Sequence, residues 1–197
     1  MRRPLAALVL TLALAGCSSS SDGPTDQLSL EPSTTSTTTP ATAALAARLP
    51  TTVLDGFTRA DAVFGGGPLD LDAAANASTE PDAERARLER RGFQRGVARS
   101  WVAANADNVY VAVYEFADEA GATGYGTDQA ALLTGQGATP FPGGGGFTTV
   151  EHDGESTLTT QAAIRQVGNR WALVLVASDQ GARTPADATT IATAIEL

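Results

Sequence analysis

The chain has 197 residues, 22 acidic and 13 basic, for a formal net charge of −9 at neutral pH. That balance excludes the basic footprint by which proteins hold nucleic acid or anionic headgroups. Every basic residue is arginine, which also excludes a Schiff-base lysine and a Walker-type phosphate loop.

Arg2 and Arg3 precede an apolar run, Leu5–Ala15, that ends in Leu14-Ala15-Gly16-Cys17. A charged start, a short apolar stretch and small residues before a cut describe an export signal. The run is far shorter than the about 20 apolar residues that a membrane-spanning helix needs. Its last four residues resemble the lipobox of bacterial lipoproteins. The resemblance implies that peptide 1–16 is removed and that Cys17, the sole cysteine, carries the lipid. The protein is then exported and anchored to the outer face of the cell membrane, with the membrane as its partner through that lipid. The alternative is an ordinary cleaved leader in which the cysteine is coincidental. Without Arg2 and Arg3 the mature chain has 11 basic against 22 acidic residues, a formal charge of −11. With its cysteine acylated it has no disulfide, and packing must hold the fold.

Residues 17–42 form a Ser/Thr/Pro-rich tether with few apolar side chains, a composition that cannot offset its chain entropy. As a coil it spans about 25–30 Å. A single α+β domain is expected over residues 43–197. It opens with a short helix, Ala43–Leu49, stopped by Pro50, and a strand at Thr51–Leu54 that turns at Asp55-Gly56. Phe64–Pro68 reads as loop. Asp70 and Asp72 suggest the start of a calcium loop, but Ala74 replaces the third oxygen ligand, and acidic residues at a helix start explain them better.

A helix from about Glu80 to Arg91 follows, capped by Thr79 and ended by Gly92. Strands at Phe93–Ala104 and Val109–Phe116 then form a hairpin, the second apolar on both faces and therefore central. Asp118 caps a helix running to about Leu133, weakened by Gly121, Gly124 and Gly126. The glycine-rich run Gly135–Gly146 leads into a strand rather than a helix, which favours a linker over a phosphate loop. Phe147–His152, Ser156–Val167 and Arg170–Ala177 make a three-strand meander. Thr184-Pro185-Ala186-Asp187 starts a final helix whose Ala188, Ile191, Ala192 and Ile195 share a face. The expected fold is thus α+β, an antiparallel sheet of five to six strands with two to four helices packed on it.

Chemistry is sparse. His152, the only histidine, lies among Glu151, Asp153 and Glu155 on a hairpin whose alternate residues point to opposite faces, so no metal site is expected. No serine stands in a nucleophile-elbow motif, and no motif requires a cofactor. One strand gives a candidate. Phe93, Val97 and Trp101 alternate on one face, with Arg95 and Arg99 on that face too. Arg95, Arg99 and Trp101 then form a candidate site for a carboxylate or phosphate. Three other readings remain: a bulge at Gly96 that turns one arginine to water, arginines merely extended over a half-exposed face, and Arg99 paired with Glu115.

The order Gly92-Phe93, Ser100-Trp101 and Val111–Asp118, followed by a helix and a meander, resembles actinobacterial cell-envelope lipoproteins, some of them with a PsbP-like α+β fold. The resemblance implies a non-catalytic binding or accessory module whose partner is an envelope glycolipid or a membrane protein. A secreted hydrolase with a carboxylate-based site is the alternative.

Overall fold

The computed structural model describes residues 39–153, 156–179 and 181–197, and the described part opens at the N-cap of a helix. The export signal, Cys17, nearly all of the expected tether and residues 154, 155 and 180 lie outside the described residues. Helix α1 (Pro40–Ala46) starts three residues earlier than expected, because Thr39 accepts a hydrogen bond from the Thr42 amide. No strand forms at Thr51–Leu54. Val53 and Leu54 instead pack directly on the core, and strand β1 (Phe57–Arg59) follows them. The stretch read as loop holds α2 (Asp61–Phe64) and β2 (Gly67–Leu69). Both are pinned to the next hairpin: Asp61 accepts from the Ser100 amide at 2.8 Å, and the Ser100 hydroxyl donates to the Gly65 carbonyl.

Asp70 caps α3 (Leu71–Asn76) by accepting from the Ala73 amide at 2.8 Å, the helix-start role expected of it. Helix α4 (Pro81–Arg90) has Glu80 rather than Thr79 at its N-cap, since Pro81 takes the first helical position. It ends at Gly92, whose positive φ of 74° suits a residue without a side chain. Strands β3 (Phe93–Ala103) and β4 (Asn108–Phe116) form the hairpin. Helix α5 (Glu119–Gly135) is capped by Asp118 and runs unbroken through its glycines. A two-residue strand, β5 (Thr139–Pro140), precedes the meander of β6 (Gly146–Asp153), β7 (Ser156–Val167) and β8 (Arg170–Asp179). Helix α6 (Pro185–Thr193) completes the chain, with Asp187 accepting from the Thr184 amide at 2.8 Å.

The sheet is antiparallel, in the order β1-β3-β4-β8-β7-β6-β5, with β2 also paired to β3. Its five long strands are the expected hairpin and meander; the three additional strands are only two or three residues long. The two doubly apolar strands, β4 and β8, are neighbours at the centre. Both faces are covered. On one, α1 and α6 pack Leu45, Leu49, Ile191 and Ile195 on Val109, Val111 and Val174. On the other, α3, α4 and α5 cover Ala112, Tyr114, Phe116 and Trp171.

The glycines of α5 allow that second layer to come close. A Cβ on Gly121 would collide with the Arg91 carbonyl, one on Gly124 with the Arg91 guanidinium, and one on Gly126 would lie 3.2 Å from the Trp171 indole nitrogen. The helix gives up propensity and gains close approach to α4 and β8. Arg91 then reaches Asp128 on α5, with Nε and Nη2 each 2.9 Å from a carboxylate oxygen. That bidentate contact holds the Asp128 carboxyl below its ordinary range.

Candidate functional site

The arginine strand does bring Arg95, Arg99 and Trp101 to one face; Arg99 and Trp101 are engaged inside the protein, while Arg95 is a third exposed and meets its carboxylate without a hydrogen bond at Nε. The register shift falls between Phe93 and Arg95 rather than at Gly96, and it sends Phe93 to the opposite face, against Tyr114 and Phe116. Gly96 stays in register opposite Tyr114, and its lack of a side chain makes room for that ring. Arg95 lies 3.2 Å from Glu115, which it shares with Arg170. Arg99 donates to the carbonyls of Leu49 at 2.7 Å and Pro50 at 2.9 Å, closing the turn after α1. Burial weakens its hold on the proton. Trp101 is 1% exposed and part of the core. His152 is exposed, with Nδ1 3.0 Å from the Thr157 hydroxyl, and no metal-ligand cluster occurs among the described residues.

The open space lies on the other face of the sheet. A cavity of about 460 Å³ sits between the central strands and the layer of α3 and α5. Its floor is Tyr110 and Tyr114 of β4, Leu173 and Leu175 of β8, and Ile164 of β7. Leu132 and Leu133 of α5 form one wall. The facing wall is built of small residues, Ala73, Ala77 and Ser78, so the layer cannot fill the gap above the large floor side chains. The volume falls within the about 300–1,000 Å³ typical of small-molecule sites.

Polar groups in it are few and placed. Glu84 of α4, 4% exposed, is the one carboxylate of the lining. It accepts from the Tyr125 hydroxyl at 2.6 Å and from Gln129 at 3.1 and 3.2 Å, and it is ion-paired with Arg87 one turn along its helix. Its oxygens are thus occupied, and a cleavage reaction requiring two facing carboxylates has no second acid in this cavity. The Tyr110 and Tyr114 hydroxyls, in contrast, have no hydrogen-bond partner among the described residues. Burial pushes Tyr110 up to about 12 and Tyr114 and Tyr125 well above the ordinary phenol range. Trp171 stands edge to face with Tyr125 at 4.8 Å and closes the α4 end, its indole nitrogen also unpartnered among the described residues.

None of these residues stood out in the sequence. One signal was available: Tyr110 and Tyr114 put polar-tipped rings on the same face of a strand, with only valine and alanine between them. Glu84 gave none, since a glutamate in a charged helix reads as solvated.

The comparisons with known proteins bear on the two ends of the problem unequally. The extracellular domain of PknH from Mycobacterium tuberculosis is similar in structure, with 13% sequence identity over 78% of this chain and 88% of that one, at a TM-score of 0.42. No curated protein matches the chain in sequence. At the start of the chain, a family model described as the prokaryotic membrane lipoprotein lipid attachment site matches residues 1–18. The protein is an exported lipoprotein anchored to the membrane.

Proposed function

We propose that this lipoprotein is a tethered, non-catalytic binding domain that holds an apolar or amphiphilic small molecule of the cell envelope between its sheet and α5. The observation that carries this reading is the cavity itself: about 460 Å³, walled by half-buried leucines and isoleucine, with its only carboxylate already satisfied. Half-buried apolar side chains around such a volume gain by giving up water to a ligand. The expected envelope ligand moves in this reading from the arginine strand to the opposite face of the sheet. A partner protein and the likeness to PsbP-like domains add nothing to the geometry of the cavity.

The test is dye binding. The exported domain should bind N-phenylnaphthylamine with one-to-one stoichiometry, and Ile164→Trp, which fills the floor, should abolish binding while leaving the fold intact. Saturable binding unchanged in the filled variant would place the apolar site elsewhere.

Cys17, within the matched attachment site, is the proposed lipid acceptor. Cys17→Ala should move the protein from the membrane fraction to the soluble one. A variant still in the membrane at wild-type level would assign the anchor to another residue.

A further inference from the structure

We infer that the molecule held in the cavity has an uncharged polar head, a hydroxyl or an ester carbonyl, bound by the phenols of Tyr110 and Tyr114. This rests on the cavity reading and names the class of ligand.

Tyr114 is 6% exposed and Tyr110 half-buried on the same face of β4, and both line the cavity with hydroxyls that have no protein partner among the described residues and open onto its solvent. A ligand that displaces that solvent must replace its hydrogen bonds or leave the phenols unsatisfied. A ligand atom that accepts a hydrogen bond supplies what the protein leaves out. The rest of the lining excludes a charge there. Its one charged group is Glu84, no arginine lines it, and Arg87 is committed to that carboxylate. An anionic head would therefore lose its hydration in a space with no free cation, inside a protein whose mature formal charge is −11. A cationic head would find Glu84 already saturated by Tyr125, Gln129 and Arg87. An uncharged head requires neither counter-ion, and the phenols remain donors throughout the physiological range. Leu132, Leu133, Leu173 and Leu175 then surround the apolar part.

Three ligands with one chain length separate the possibilities: decane, 1-decanol and decanoate, each competing against N-phenylnaphthylamine at pH 8. Decanol should bind at least as tightly as decane, although its hydroxyl favours water, and decanoate at least about tenfold more weakly than decanol. Tyr110→Phe/Tyr114→Phe should weaken decanol by about three- to tenfold while decane and the dye keep their affinities. Lowering the pH toward the carboxyl range should strengthen decanoate and leave decanol unchanged. Decanol binding much more weakly than decane to the wild type would overturn the head assignment, with water as the partner of the phenols and the cavity reading intact. Decanoate as the tightest of the three would overturn the uncharged head. Failure of all three and of the dye would overturn the cavity reading itself. Should the double variant not fold, the wild-type order of the three ligands decides.

Discussion

Glu84→Ala is expected to destabilise the protein by about 3–5 kcal/mol, the cost of removing one partner from a buried, hydrogen-bonded ion pair. Arg87, with a side chain 14% exposed, would be left without its carboxylate, and Tyr125 and Gln129 would lose their acceptor. The loss should be larger than for Tyr125→Phe, which leaves Glu84 both Arg87 and Gln129. Replacing both charges, Glu84→Leu with Arg87→Leu, should recover much of it, because apolar residues of similar size need no compensation for burial. Urea denaturation of the single and double variants measures all three. A cost below about 1 kcal/mol for Glu84→Ala would be the behaviour of a solvated surface pair, and the α4–α5 contact would then owe nothing to it.

Alkaline titration should give the second large effect. All three tyrosines of the chain, Tyr110, Tyr114 and Tyr125, stand in or beside the cavity, and burial raises each above the phenol value of about 10. Below that pH their contribution to stability is fully present. Above it the unfolded chain releases protons that the folded one retains, so stability falls as the pH rises toward the folded values. The slope is about 1.4 kcal/mol per pH unit for each tyrosine. Phenolate absorbance should therefore stay low past pH 10 and rise together with the loss of circular dichroism. Phenolate forming near pH 10 in a protein with native circular dichroism would mean that the rings are solvated.

What was legible in the sequence is the part written in periodicity and caps. Val109–Phe116, apart from Glu115, and Trp171–Val176 are apolar at successive positions, and both are central strands. Asp118 and Thr184 mark helix starts within a residue. Strands β1, β2 and β5 are too short to carry a period, and they exist because longer neighbours offer them an edge. The partners of Arg99 were hidden for a related reason. Side-chain spacing placed Arg99 on its face, but its partners are main-chain carbonyls 49 and 50 residues away, which no local pattern reports. The α5 glycines seemed a weakness because propensity is local, whereas the Arg91 backbone and the Trp171 ring they admit are distant in the chain. A cavity is the extreme case. It is made by side chains that fail to meet, and Ala73, Ala77 and Ser78 leave no mark in the sequence to say so.

The placement of α1 puts the entry of the described chain and the proposed binding cavity on opposite faces of the sheet. The chain coming from the lipid end enters the described structure at Thr39 and goes at once into α1, which lies on the same face as α6. Arg48 and Glu196 tie the segment after α1 to the one after α6, each donating to the other's carbonyl, at 2.9 and 3.2 Å. The cavity is on the reverse side, with the whole thickness of the sheet between. In the proposed reading, the entry of the chain and the ligand occupy separate territories, and the closing of one face by α1 and α6 leaves the other free to hold a guest.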